Sequence, residues 1–227
     1  MYVKDYMTAN PLTVTKDVSV SKAVDLMGKN NFHRLPVVDE DGRLIGLVTG
    51  GLVEETSGAK NTSLSIYELN YLLSKTTVDE IMIRNVLTVS EDLFLEEAAQ
   101  IMIDHHISVL PVVDDFYRVL GIITEKDIFQ AFADVLGYRH QGTRFVIKCN
   151  DVPGFFHGVT KYFADNNANL ESLAVFHTEE RGTEVVVKAT GEIPVEEMRD
   201  ILIEAGYDIT EIVQTTKEGE RIKYPVD

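Results

Sequence analysis

Phe32-His33-Arg34-Leu35-Pro36-Val37-Val38-Asp39 is answered, 75 residues further on, by Ile107-Ser108-Val109-Leu110-Pro111-Val112-Val113-Asp114. The echo is part of a longer one. Residues 3–54 and 78–129 align without a gap and are identical at 17 of 52 positions, among them Met7/Met82, Thr13/Thr88, Ala23/Ala98, Met27/Met102, Gly46/Gly121 and Thr49/Thr124. A repeated unit of this size cannot usually bury its apolar face alone, so the two copies should pack together. The cleft between them is then the first place to look for a site.

Each copy reads strand, helix, strand, strand, helix. Val20, Ala23, Val24 and Met27 in the first copy, and Leu95, Ala98, Ala99 and Met102 in the second, have the spacing of an amphipathic helix. The Leu-Pro-Val-Val-Asp runs are short and β-rich, and Glu40-Asp41-Gly42-Arg43 supplies a turn in the first copy. Leu44-Ile45-Gly46-Leu47-Val48 and Val119-Leu120-Gly121-Ile122-Ile123 follow. They are almost wholly apolar, as strands buried on both faces are. Between the copies, 58–62 reads as a loop and 63–74 as an extra helix. Ser65 and Glu68 have capping-box spacing there, and Leu69, Leu72 and Leu73 form an apolar face.

Beyond Tyr138 the pattern changes. Strands are expected at 144–149, 170–176, 184–189 and 209–213. One helix is expected over 154–167, carrying Phe155, Val159 and Phe163. A second opens at Pro194 and stops at Gly206. The order βαββαβ implies a sandwich of ferredoxin-like topology. The fold class is therefore mixed α/β (α+β). The divisions are 1–56 and 77–136 for the repeats, 57–76 for a helical insertion, 137–142 for a linker, 143–215 for the sandwich and 216–227 for a tail.

The 227 residues carry 21 Lys and Arg against 37 Asp and Glu, a net charge of −16. The excess is spread over both halves, so phosphate backbones and anionic membranes are repelled, and neither is expected as a direct partner. A local basic pocket is still compatible with this balance. The single cysteine, Cys149, cannot form an internal disulfide and sits in an apolar alternation that suggests a buried thiol. The first residues lack an apolar leader, and no apolar run approaches 18 residues, so a cytoplasmic protein is expected.

Phosphate-loop, dinucleotide-fold, zincin and nucleophile-elbow motifs are all missing, and no nucleophile–base constellation stands out, so no enzyme is expected. His105-His106 is the only histidine pair. Neighbours at a helix end do not share a face, and no metal site is expected there. In Thr124-Glu125-Lys126-Asp127 a hydroxyl and a carboxylate stand three residues apart where a strand gives way to a helix. Two readings stand: a helix cap with its capping-box partner, or a grip on a vicinal diol such as ribose beside a helix N-terminus that favours phosphate. The first copy keeps Thr49 but has Leu52 where Asp127 stands, so the two clefts are chemically unequal. His33-Arg34 also occurs in one copy only. It reads either as a surface pair at a strand entrance or as a planar donor fork and a histidine suited to phosphate.

Through Phe129 the chain resembles a tandem pair of CBS domains, the Bateman module, on the Leu-Pro-Val-Val-Asp strand and the Gly-x-x-Thr-x-x-Asp ending of two ordered repeats. The resemblance implies an adenine-containing ligand in the cleft between repeats. Thr124 and Asp127 match the ribose-binding positions; Thr13, Val18, Phe32 and Ile122 match those lining adenine. His33 and Arg34 resemble the phosphate-contacting pair in the nucleotide-sensing subunit of AMP-activated kinase. A second, weaker cleft would be built from Leu47, Thr49, Thr88, Leu93, Ile107 and Ser108. AMP, ADP or ATP are the implied ligands, with cyclic di-AMP, S-adenosylmethionine and NAD also open.

Asn150-Asp151-Val152-Pro153-Gly154, the later Ala168-Asn169-Leu170 and the βαββαβ order resemble the ACT domain. Such domains bind amino acids near positions matching Val152, Pro153, Gly154 and Asn169, or only dimerise; Asp151, Pro153 and Gly154 are equally explained as a helix start. A CBS pair followed by an ACT domain is similar to the AcuB-like proteins, named for acetoin utilisation. The expected protein is a non-catalytic nucleotide sensor that signals to its ACT half or to a partner protein, and a two-fold homodimer. The alternative is an amino-acid-responsive regulator with the CBS pair as scaffold.

Overall fold

The computed structural model describes residues 1–56, 66–149, 152–179, 182–191 and 194–226. The loop expected at 58–62, the cap at Ser65, the side chain of Leu69, and Asn150 and Asp151 lie outside the described residues. The chain forms two compact units, Met1–Phe129 and Gln130–Asp227.

The first unit runs β1 (Thr8–Ala9), β2 (Val14–Thr15), α1 (Val20–Asn30), β3 (Arg34–Val38), β4 (Leu44–Thr49), α2 (Gly50–Thr56), α3 (Ile66–Lys75), α4 (Val78–Ile81), α5 (Leu95–Asp104), β5 (Val109–Val113), β6 (Val119–Thr124) and α6 (Glu125–Val135). The last of these continues past Phe129 into the second unit. The repeat is visible in the sheets. β3 pairs antiparallel with β4 as β5 does with β6, and Leu35, Val37, Leu110 and Val112 are fully buried. Val20, Ala23 and Met27 of α1 are buried, as are Leu95, Ala98 and Met102 of α5, so the 3.6-residue stripe became the core face. Ser19 caps α1, its Oγ accepting from the Lys22 N–H at 3.3 Å. α3 packs beside α1, with Leu73 against the first repeat's core and Leu72 half exposed.

Each repeat is completed by the leading segment of the other. β1, from the first copy, pairs with β6 of the second through Thr8↔Ile122, and the Val3 N–H donates to the Leu93 carbonyl at 2.9 Å. Conversely, Val78 and Met82 join the core of Val20, Leu35 and Val48, and the Val78 N–H donates to the Val18 carbonyl at 2.8 Å. The shared glycines serve this exchange. A Cβ on Gly46 would collide with Met82 Sδ, and one on Gly121 with Met7 Sδ. Only glycine lets each crossing methionine lie against the strand.

The second unit adds β7 (Gly142–Cys149), α7 (Phe155–Asp165), β8 (Asn169–Thr178), β9 (Gly182–Thr190), α8 (Val195–Glu204), β10 (Ile209–Thr215) and β11 (Arg221–Tyr224). Among the described residues these strands form one antiparallel sheet in the order β11-β10-β7-β9-β8. Without β11, that is the ferredoxin-like arrangement of a βαββαβ unit. Phe145, Ile147, Val185, Val187 and Ile212 from the sheet meet Val159, Phe163, Met198 and Leu202 from the helices. Lys188 is buried, and its Nζ donates to the carbonyls of Gly137 and His140. Two details differ from the sequence reading. Cys149 is half buried, at the end of β7. Residues 221–224, left as tail, pair with β10 because Ile212 and Val213 offer an edge. Among the described residues no helix is long and apolar enough to cross a membrane.

Candidate functional site

β6 ends at Thr124 and α6 starts at Glu125, so the motif Thr124-x-x-Asp127 straddles a strand-to-helix junction. Asp127 Oδ2 accepts from the Thr124 N–H and from its Oγ1–H, both at 2.7 Å. This is the Asp127 half of the capping box allowed by the spacing. It engages one carboxylate oxygen; a carboxylate presents about four lone-pair positions, so acceptor capacity remains on Oδ1. The capping reading and the diol reading are therefore compatible. In the first repeat Thr49 Oγ1 instead accepts from the Leu52 N–H at 3.2 Å, a cap with no acid in it.

The basic pair is brought to this junction by backbone bonds repeated in both copies. The Gly50 N–H donates to the His33 carbonyl at 2.9 Å, and the Glu125 N–H to the Ser108 carbonyl at 3.3 Å. Each bond ties the residue before one central strand to the start of the helix after the next. Arg34 then reaches across the pseudo-symmetry, and its Nη2 donates to Ser108 Oγ.

Around Asp127 lies a cavity of about 230 Å³ lined by Thr8, Pro11, Leu12, Phe32, His33, Arg34, Ile122, Thr124, Lys126 and Asp127. Of the eight residues proposed from sequence, Phe32, His33, Arg34, Ile122, Thr124 and Asp127 meet here. Thr13 and Val18 do not line it, and Val18 packs against the first repeat's core. Thr8, Pro11 and Leu12 were missed; they arrive through the β1–β6 crossing, which carries no motif. Lys126 was missed because the Thr-x-x-Asp spacing leaves its position unspecified.

A second cavity, about 510 Å³, is lined by Leu47, Thr49, Ile107 and Ser108 of the proposed second cleft, and by His33, Arg34, Asn85, His105, His106 and several apolar side chains. Thr88 and Leu93 are half buried elsewhere. The His105-His106 result corrects the helical argument. α5 stops at Asp104, and His106 takes a left-handed backbone (φ 52), so the two rings line one cavity despite adjacency. Among the described residues no group of three or more His, Cys, Asp or Glu could hold a metal ion.

In the second unit, Gly154 precedes α7 at φ 89, whereas Asn169 opens β8 opposite Thr190. Val152, Pro153 and Gly154 follow the Cys149 end of β7, while Asn169 lies by the Thr143 end; six steps of strand, about 20 Å, separate those ends. Within one copy these four residues do not converge. A cavity of about 680 Å³ opens at the Thr143 end, its floor made of Phe145, Phe163, Val195 and Met198.

The CBS domain model matches residues 3–50 and 78–134, and the ACT domain model matches 143–206. Among curated proteins, L-aspartate semialdehyde sulfurtransferase of Methanocaldococcus jannaschii is 37% identical over 130 residues, 57% of this chain and 23% of that one. The chain spans less than half the length of the first curated relatives it matches. Among solved structures, a CBS domain pair in complex with 5′-methylthioadenosine and S-adenosyl-L-methionine is 36% identical over 59% of this chain and 97% of that one, with a TM-score of 0.50. CBSX2 in complex with AMP is 28% identical over 59% and 97%, TM-score 0.50. A Vibrio cholerae protein named for acetoin utilization (AcuB) is 27% identical over 61% and 95%, TM-score 0.51.

Proposed function

The chain belongs to the CBS-domain family, carrying a tandem pair of these domains followed by an ACT domain, both regulatory modules, and on that premise we propose that its first unit senses an adenine-containing nucleotide. The observation that carries this reading is the convergence, in one cavity, of the Thr124–Asp127 pair with His33 and Arg34. Ribose hydroxyls would bond the free oxygen of Asp127 and the Thr124 hydroxyl. Phe32 and Ile122 would cover the base, and His33 and Arg34 would take the phosphate, helped by the N-terminus of α6. Similar CBS pairs solved with AMP or with S-adenosyl-L-methionine and 5′-methylthioadenosine support an adenine ligand class.

The sensor role follows from where Asp127 sits. It lies in the first turn of a helix that continues into the second unit, so a ligand that prefers one placement of α6 biases what that helix leads to. The bias equals the difference in the ligand's affinity for the two placements and cannot exceed it. We also propose that the protein acts as a homodimer in the cytoplasm and performs no catalysis. Thermal-shift assays with AMP, ADP, ATP, cyclic di-AMP, S-adenosylmethionine and NAD test the reading. Nucleotides should raise the melting temperature of the parent by mass action and raise that of Asp127→Ala by much less. A parent that responds only to amino acids would move the sensing role to the ACT domain.

A further inference from the structure

We propose that the second cleft is a phosphate-chain subsite, which makes the chain selective for adenine nucleotides with two or more phosphates over AMP. The inference rests on the nucleotide reading of the Asp127 cavity and specifies what lies beyond it.

Charge is the first ground. In a protein of net charge −16, the 510 Å³ cavity is lined by Arg34, His33, His105 and His106, and by no Asp or Glu among the described residues. It also lacks the acid for a diol, because Leu52 stands in place of Asp127. Its chemistry suits an anion and not a nucleoside. Imidazole donates an N–H in its neutral form and carries a full charge when protonated, so the histidines serve a phosphate oxygen in either state.

Size and continuity are the second. A cavity of 230 Å³ falls below the range of about 300–1,000 Å³ usual for small-molecule sites. A nucleoside would take up most of that space and direct a phosphate chain beyond it. His33 and Arg34 line both cavities, and Arg34 is fixed toward the second by its bond to Ser108 Oγ. A chain leaving the first cavity past these two side chains enters the second directly.

The difference between the two copies is the third. His106 holds φ 52, as does its repeat counterpart Asn31 at φ 56. Asparagine and histidine are both among the non-glycine residues that take this conformation most readily, so the turn accepts either residue. The second copy carries imidazoles at 105 and 106 where the first has Asn30 and Asn31, and neither asparagine lines a cleft. With the turn satisfied by either residue, what distinguishes the second copy is that its imidazoles line the cavity.

The test is calorimetry on the full chain without magnesium, using adenosine, AMP, ADP, ATP and inorganic tripolyphosphate. The proteins are the parent, Asp127→Ala and the double variant His105→Gln/His106→Asn, which keeps a residue at 106 suited to the left-handed turn. In the parent, affinity should rise about tenfold or more from AMP to ATP, one charge-assisted contact at a minimum. The double variant should bind AMP like the parent and ATP no better than AMP. It should also lose tripolyphosphate binding, which Asp127→Ala should keep. Nucleotide binding with no chain-length preference, or a preference that survives in the double variant, overturns this inference while the Asp127 reading stands. Failure of every nucleotide to bind overturns both. Circular dichroism melting of the double variant, expected within a few degrees of the parent, separates loss of contacts from loss of fold.

Discussion

Asp127→Ala separates the cap from the grip, because the two roles leave different signatures. In the free protein Asp127 Oδ2 accepts two bonds at 2.7 Å from Thr124. Losing them should cost about 0.5–2 kcal/mol, the usual effect of removing a helix cap. At about 2–4 °C per kcal/mol for a chain of this length, the melting temperature falls by a few degrees. That loss is independent of ligand and cancels when bound and free variant are compared. The grip is read by pairing the variant with a ligand lacking the 2′-hydroxyl. A hydrogen bond to a charged group contributes about 1.5–3 kcal/mol, so the parent should bind AMP roughly ten- to a hundredfold more tightly than 2′-deoxy-AMP. In Asp127→Ala the two ligands should bind within a factor of about three, the partner of the hydroxyl having gone. Isothermal titration of both ligands against both proteins completes the cycle. If the variant still prefers AMP by the parent's factor, Asp127 does not hold the ribose and the assignment fails.

Other expectations follow from packing and charge. Leu35→Ala removes a fully buried side chain from the first repeat's core and should cost about 2–5 kcal/mol in urea melting. Gly121→Ala places a methyl against Met7 Sδ and should cost about 1–3 kcal/mol, partly recovered in Met7→Ala/Gly121→Ala; an equal cost in both backgrounds would refute the crossing contact. Lys188 lies below the ordinary lysine value, mainly because burial penalises its ammonium. In the window between that lowered value and the ordinary one, the unfolded chain holds more protons, so stability should rise with pH there. Lys188→Met should lack that component, so denaturant midpoints of parent and variant should converge or diverge with pH only inside this alkaline window. Phe129 and Phe132 on α6 are 67% and 66% exposed. If they serve the proposed homodimer, light scattering should find a dimer in the parent and a monomer in Phe129→Glu/Phe132→Glu.

The duplication made most of the first unit legible, because a fixed offset assigns matching elements without any three-dimensional information. The exchange of leading segments was not legible. Val3 and Val78 are the same residue in matching positions, and nothing local says that each completes the other repeat's core. The same blindness hid Thr8, Pro11 and Leu12 from the cavity, and drew in Thr13 and Val18, which are near in sequence but do not line it. Thr124 and Asp127 were readable because both roles open to them need the same spacing. His105 and His106 were discounted on helical geometry, a rule that does not apply to them because α5 stops at Asp104 and His106 is left-handed. β11 went unseen because Arg221-Ile222-Lys223-Tyr224 is short and charged, and its pairing depends on an edge supplied by β10.

A crystal structure of the full chain grown with ATP examines the Asp127 cavity most directly. The expected density places the ribose on Asp127 and Thr124, with the phosphates leading from His33 and Arg34 toward His105 and His106. Nucleotide bound elsewhere, with the Asp127 cavity empty or filled by its own side chains, would contradict it.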